Sequence, residues 1–546
     1  MLHYVASARP SNDKPQSPNE EPRMTNDYDA IVIGSGLGGL TAGALLAHAG
    51  ARVLVLERNA SLGGAATTYH RGALTVEVSL HETTPPFAPG DPKRELFDVL
   101  GLEDALDLVP VPELHEIRWK GLGAPFVLPH GFDAIEEVLA LRFPELRSGI
   151  KACLTQVRRT LRVAEFTDPK HGMMWRARHA AELPLDLWAG LRDIRHSLGQ
   201  VFDRYFGDNE AIKFALCANL AYYADDPDDL WWMAFAMAQG SYMAAGGYYI
   251  KGGSQRLTDQ LVATIRGAGG TVLAECPATN VLLGADGAVS GVAYRDLTSG
   301  ETVRATTRNV FANAAPHVVG EMLPEGVRAG FMERFEGRAL SISLMSASLG
   351  LDQPPASFGV TRYSTILVPE WMERFSDFKQ GTTLLASDPG ARLPVMCVVD
   401  YNQIDSGLKA DGLYSMNIVC ADRLENWGGL DDDAYRARRA AWLAALIARL
   451  DAEWPGIGGA VKASTIATAR TMHEHLNTPG GAIYGFAMLP PQGLPKEPPR
   501  TIETAVEGLW ISSAYTGFGG FTGAIGGGIA AARAAVKKNL GGIAPI

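Results

Sequence analysis

Apolar and polar positions change period several times along the chain. Residues 30–33 are a short apolar run rich in β-branched side chains, the pattern of a buried strand, and residues 37–50 are an Ala/Leu-rich stretch with helical character. A second run at 52–56, apolar after Arg52, predicts another strand and delivers Glu57. Strand, glycine loop and helix recur at the C-terminal end, over 507–514, 517–523 and an Ala/Gly-rich stretch to about Lys538. Between these ends, 255–266 has helical spacing behind Ser254, the expected cap, and Gly269-Gly270-Thr271-Val272-Leu273 turns into a strand. Residues 288–308 alternate around a turn at 296–300, as a β-hairpin would, and 311–316 close the unit.

Two long stretches interrupt this pattern. Residues 144–229 look helical, and 339–349 alternate polar with apolar, which suits a sheet wetted on one side. Residues 431–454 predict a helix with acids at its start and Trp442, Leu446 and Leu450 on one face. The run at 230–240 is too short to cross a membrane, and no window holds about eighteen uninterrupted apolar residues. Its Trp232 and Met233 suit either a core helix or the wall of a large apolar cavity.

The first turn carries the chemistry. In Gly34-Ser35-Gly36-Leu37-Gly38-Gly39, Gly34 permits a tight turn, Gly36 lets backbone approach a pyrophosphate, and Gly39 lets the helix pack close to the strand. The helix start offers free N–H groups and positive dipole to phosphates. Glu57 lies where an acid accepts hydrogen bonds from a ribose, and its charge would repel a ribose phosphate, which disfavours NADP.

Arg58-Asn59-Ala60-Ser61-Leu62-Gly63-Gly64 follows, and here the chain resembles the large flavoprotein superfamily of amine oxidases, phytoene desaturases, carotenoid isomerases and retinol saturases. The resemblance covers nearly everything after residue 26. It implies FAD, with Gly63 and Gly64 continuing the cradle that Gly38 and Gly39 begin, beside Arg58 and Ala65; Ala65-Ala66 stand where many relatives carry an arginine. It also implies adenine-side contact at Ala278 and cofactor contacts at Asn313 and Ser513, the last where relatives often have an acid. Phe521, Thr522 and Ala524 would start a helix whose N–H groups face the flavin's pyrimidine edge.

The implied fold is α/β: a Rossmann-like FAD-binding domain assembled from 27–110, 241–330 and 465–546, and a sheet-plus-helix substrate domain from 111–240 and 331–464. That second domain includes the helical insertion at about 144–229, and residues 1–26 are expected to be disordered.

The substrate side rests on Val76-Glu77-Val78-Ser79-Leu80-His81, which resembles a retinol saturase and carotenoid isomerase segment, with Glu77 and Ser79 in place of Asp and Gly. His81 is the candidate proton carrier, since an unperturbed imidazole titrates near neutrality; pinning a loop is its other reading. His473 and His475 are further ionisable candidates, and Tyr484 is expected to line the cavity. The resemblance implies an FAD-dependent oxidoreductase that desaturates, saturates or isomerises double bonds of a long apolar, isoprenoid substrate such as a carotenoid or retinoid. An amine-oxidase-like enzyme would instead show an aromatic cage or an acid for the amine. A prenyl-binding protein of the same architecture, without flavin, is opposed by the intact glycines and Glu57.

Charge and cysteines narrow the partners. A net charge of −11 over 546 residues argues against nucleic acid. Five scattered cysteines lack the spacing of metal sites or disulfide frameworks, so no metal and a reducing, cytoplasmic setting are expected. Within the acidic whole, 147–204 holds eleven Lys/Arg against six Asp/Glu, interleaved with Trp175, Trp188 and Phe202. This fits a solvated amphipathic face or a peripheral membrane contact. Oligomeric state is left open by the sequence.

Overall fold

In the computed structural model, which describes residues 23–88, 90–167, 172–409, 412–492, 502–540 and 542–545, five short strands form the layer that organises the site. Strands β1 (Ala30–Ile33) and β2 (Val53–Leu56) are buried throughout, as continuous apolar runs in a parallel sheet must be. Between them Gly34, at φ +92°, turns the chain into helix α1 (Leu37–His48). Three distant strands, β3 (Thr271–Leu273), β4 (Val310–Ala312) and β5 (Leu509–Ile511), complete a parallel sheet of order β3-β2-β1-β4-β5.

Helix α2 (Gly520–Lys538) follows β5 and crosses α1 at very short range. A Cβ on Gly528 would lie 2.3 Å from the Gly38 carbonyl oxygen, and one on Gly38 would lie 2.1 Å from that of Ser512. Small residues here let the C-terminal helix seat on the first glycine turn.

The expected hairpin is present as Val289–Arg295 and Thr302–Thr306, in a four-stranded sheet with Ala278–Leu283. Its outer member is Arg23–Asp27, so the expected disordered N-terminus gives up residues 23–26 to a strand; residues 1–22 lie outside the described residues. Ser254 also departs from expectation. The helix Gln255–Gly267 has no side-chain cap: Ser254 is itself in the helical region, at φ −63° and ψ −26°, and its hydroxyl and amide are turned to Glu77, to which they donate at 2.7 and 2.9 Å.

A seven-stranded sheet forms the second layer, in the order Val461–Ala467, Ser343–Leu351, Tyr414–Asp422, Met396–Asp400, Ser364–Leu367, His115–Arg118, Phe126–Leu128. The alternation at 339–349, expected to form a sheet wetted on one face, falls on the strand Ser343–Leu351, all of which but Leu344 is buried. Its apolar face, with Met345, Ala347 and Leu349, packs in one cluster with Trp442, Leu446 and Leu450 of the helix Asp432–Glu453. Ser346 and Ser348 on its other face bond to buried Asn417, so the alternation records an interior polar site and not solvent. Asp431 caps Asp432–Glu453 by accepting from the Ala434 amide at 2.8 Å.

The helical insertion contains Arg147–Thr167, Met173–His179, Leu183–Asp193, Leu198–Phe206 and Glu210–Cys217. Leu183–Asp193 is turned inside out. Asp186 and Asp193 are wholly buried, paired with Arg162 at 3.0 Å and Arg192 at 2.8 Å, while Leu185, Leu187, Trp188 and Leu191 are 44–65% exposed. Trp232 is fully buried in the core beside Phe235. All five cysteines are buried and unbridged. Among the described residues no helix is long and apolar enough to cross a membrane.

Gly528→Val places a branched Cβ against the Gly38 carbonyl oxygen and Thr41 Cβ. It is expected to destabilise the protein by about 3 kcal/mol, read as a lower midpoint in urea denaturation with unchanged slope.

Candidate functional site

One cavity of about 380 Å³ lies between the two layers. Gly34, Gly36, Glu57, Arg58, Gly63, Gly64, Ala65, Ala278, Asn313, Ser513, Phe521 and Ala524 all line it, together with His81 and Tyr484. These residues come from stretches up to 490 positions apart, brought together by the parallel sheet and the α1–α2 contact.

At the nucleotide end the glycine turn is rigidly built. Glu57 accepts from the Ser35 amide at 2.9 Å, the Ser35 hydroxyl at 2.6 Å and the Asn59 amide at 2.8 Å. A carboxylate offers about four acceptor sites, so Oε1 keeps one for a hydroxyl in the cavity. The Ser35 hydroxyl in turn accepts from the Gly63 amide at 3.1 Å, joining the two glycine turns. A Cβ on Gly36 would lie 2.5 Å from Asn313 Nδ2, and one on Gly64 would lie 3.2 Å from Gly36 Cα. No side chain caps α1 or α2, so both helix starts keep amides for a ligand. A cradle without side chains, an acid with a spare lone pair and two uncapped helix starts on one cavity fit the diphosphate, ribose and ring of FAD.

Five expected site residues lie elsewhere. Gly38 and Gly39 do not line the cavity; they are spacers, pressed against Ser512 and Gly34 backbone oxygens respectively. Thr522 turns away from it, and its hydroxyl accepts from Lys93 Nζ at 2.7 Å. Trp232 and Met233 belong to the core around the helix Trp232–Ala245 and are not cavity wall. Of the two C-terminal histidines, His475 lines the cavity, whereas His473 bonds to the Thr478 carbonyl at 2.7 Å.

The other end of the cavity is lined by His81, Tyr222, Leu344, Ser346, Val419 and Tyr484. Tyr222 and Asn417 were not singled out from sequence: Tyr222 sits in a short turn of the helical insertion and Asn417 mid-strand, where neither has a local motif. The His81 carbonyl accepts from the Tyr363 hydroxyl, its Nε2 meets Asn417 Nδ2 at 3.2 Å, and its ring lies 5.5 Å from that of Tyr222. Because Asn417 Oδ1 already accepts from Ser346 and Ser348, its Nδ2 is the donor, and the neutral imidazole carries its hydrogen on Nδ1.

Burial pushes the His81 pKa down to about 4, so the expectation of a carrier titrating near neutrality is corrected: the ring is neutral there. Its neighbour Glu82 is pushed up to about 8, by burial first and then by the charge of Glu113. Glu57 is the one carboxylate lining the cavity among the described residues. No group of three or more metal-ligating side chains occurs among them.

With this geometry, the comparisons with known proteins are consistent. The family described as flavin containing amine oxidoreductase matches residues 37–319. All-trans-retinol 13,14-reductase of Danio rerio is 23% identical over 557 residues, 95% of this chain and 87% of that protein. Prolycopene isomerase of Daucus carota is 21% identical over 537 residues, 96% of this chain and 82% of its own. Among solved structures, an oxidoreductase from Methanosarcina mazei superposes with a TM-score of 0.61 at 16% identity, over 92% of this chain and 99% of that one. Cyclohexylamine oxidase from Brevibacterium oxydans gives 0.58 at 16%, over 94% and 100%.

A buried neutral histidine makes stability depend on pH. The unfolded chain binds the His81 proton near pH 6.5 and the folded chain near 4, so stability falls as pH drops through that window. In urea denaturation at pH 7 and pH 4.5, the wild type should lose about 2–3 kcal/mol more than His81→Gln.

Proposed function

The chain belongs to the flavin containing amine oxidoreductase family and is an FAD-dependent oxidoreductase, and from that premise we propose that it acts on carbon–carbon double bonds of a long apolar, isoprenoid substrate. The observation that carries this reading is the lining of the cavity beyond the glycine turns. Leu344 and Val419 with the ring faces of Tyr222 and Tyr484 offer a largely apolar surface; of the two features an amine-oxidase-like site would show, the tyrosine pair is present and a carboxylate beside it is not, among the described lining residues. Relatives named as a retinol reductase and a prolycopene isomerase, aligned over nearly the whole chain, support the same substrate class.

FAD, when bound, supplies a two-electron acceptor and donor able to exchange a hydride equivalent with carbon. Gly34, Gly36, Gly63, Gly64 and Glu57 would hold its nucleotide part, and Phe521 and Ala524 would border its ring. The chain's own contribution is positioning and exclusion of water. Tyr222 and Tyr484 wall the polyene in, and Tyr363 and Asn417 fix the His81 backbone and ring. His81 holds its proton at Nδ1 in a neutral imidazole, available as a hydrogen-bond donor without placing a cation beside an apolar chain.

The test is anaerobic incubation of the flavin-loaded protein with polyenes, steroids and amines, following flavin absorbance. Oxidised flavin should bleach, or reduced flavin reoxidise, with a polyene. Bleaching by amines alone overturns the substrate class.

An apolar substrate of this size partitions into bilayers, and we place the protein in a reducing compartment at a membrane surface. The inverted helix Leu183–Asp193 supports this, with its acids inside, its leucines and Trp188 outside, and exposed Arg176, Arg178 and Arg195 nearby. Sedimentation with anionic vesicles should capture the wild type, and Trp188→Ser/Leu191→Ser should weaken capture about tenfold. Unchanged capture, or a change of oligomeric state instead, counts against it.

A further inference from the structure

The least expected charge in the molecule is Lys93. Its side chain is 1% exposed, and its ammonium donates to Asp91 Oδ2 at 2.7 Å, Thr84 Oγ1 at 2.9 Å and Thr522 Oγ1 at 2.7 Å. Asp91 is itself 5% exposed, and its other oxygen accepts from the Lys93 amide at 2.9 Å. Thr522 stands in the first turn of α2, with Gly520, Phe521 and Ala524 of that same helix start lining the cavity.

This arrangement opposes two ordinary preferences. Burial disfavours the ammonium, which Asp91 counteracts, and a cation beside a helix N-terminus adds to positive charge already there. A buried ion pair also contributes little that a well-packed apolar pair would not. Stability alone therefore does not account for it. The pair is neutral overall, but its ammonium end is the one that bonds Thr522, so its dipole points the same way as that of the helix start, and both favour negative charge on the far side of that turn, which is the cavity.

We infer that Lys93, held by Asp91, is a positioning residue that fixes the first turn of α2 through Thr522 and favours the negative charge FAD gains on reduction. The inference rests on the reading that FAD occupies this cavity. Reduction would still be driven by substrate or an external donor; Lys93 changes the equilibrium and exchanges no electron or proton.

The experiment compares flavin-loaded wild type with Lys93→Met/Asp91→Leu, which removes the pair without stranding a charge, and with Thr522→Val, which keeps the pair and cuts its link to α2. Thermal unfolding, FAD dissociation constant and flavin midpoint potential are measured for each. The double variant should unfold within a few degrees of wild type and retain FAD. Its flavin reduction should be about tenfold less favourable, a potential about 30 mV more negative for a two-electron couple. Thr522→Val should shift the same way by a smaller amount. Potentials that stay unchanged or become more positive in flavin-loaded variants overturn the inference. If the double variant does not fold, the sign of the Thr522→Val shift decides. A wild type that takes up no FAD overturns the cofactor reading instead, a separable result.

Discussion

The carboxylate of Glu77 is the constraint on which the substrate half of the site depends. It is 2% exposed and accepts from Thr68 Oγ1 at 2.6 Å, from the Leu80 and Ser254 amides at 3.0 and 2.9 Å, and from Ser254 Oγ at 2.7 Å. Burial raises its pKa while those donors lower it, so the charge is tolerable only because the lone pairs are filled. Glu77 and Ser254 are 177 positions apart, and their bond closes the loop that brings His81 to the cavity. Gly253 must be glycine for this to happen, since a Cβ there would lie 2.1 Å from Thr68 Oγ1.

From that anchor the two layers take complementary tasks. The parallel sheet offers backbone amides and one acid, suited to phosphates and sugar, while the larger sheet and the helical insertion offer side chains. His81 sits where they meet, its carbonyl held by Tyr363 and its ring by Asn417, both from the second layer. The seated imidazole is neutral because it is dry, and the same dryness suits a hydrocarbon ligand. Polar residues on that face of the sheet bond to one another, which keeps them from competing for water.

Much of the nucleotide end was legible in the chain because its requirements are local: a turn needing Gly34, a close approach needing Gly36, an acid at a fixed distance. The residues misjudged are those whose partners lie far away in sequence. Gly38 faces Ser512 and Thr522 faces Lys93, contacts that no local pattern encodes. Ser254 has the sequence of a cap, but its backbone is helical and its hydroxyl is turned toward a buried carboxylate. The alternation at 339–349 marked a strand with two unlike faces, which begins only at Ser343, yet polarity alone does not distinguish water from Asn417. Tyr222 was invisible for the same reason: only folding brings the insertion over the cavity.

The order of the central sheet bears on how the pocket is closed. Its last strand, β5, pairs with β4, and the helix after it covers Gly38, so the pocket begun by residue 34 is finished by residue 524. Without β5 and the helix that follows it, the first glycine turn would border a crevice open on one side. The residues that announce the pocket are therefore not sufficient to make it, and its closure is encoded almost 490 positions downstream of the first turn.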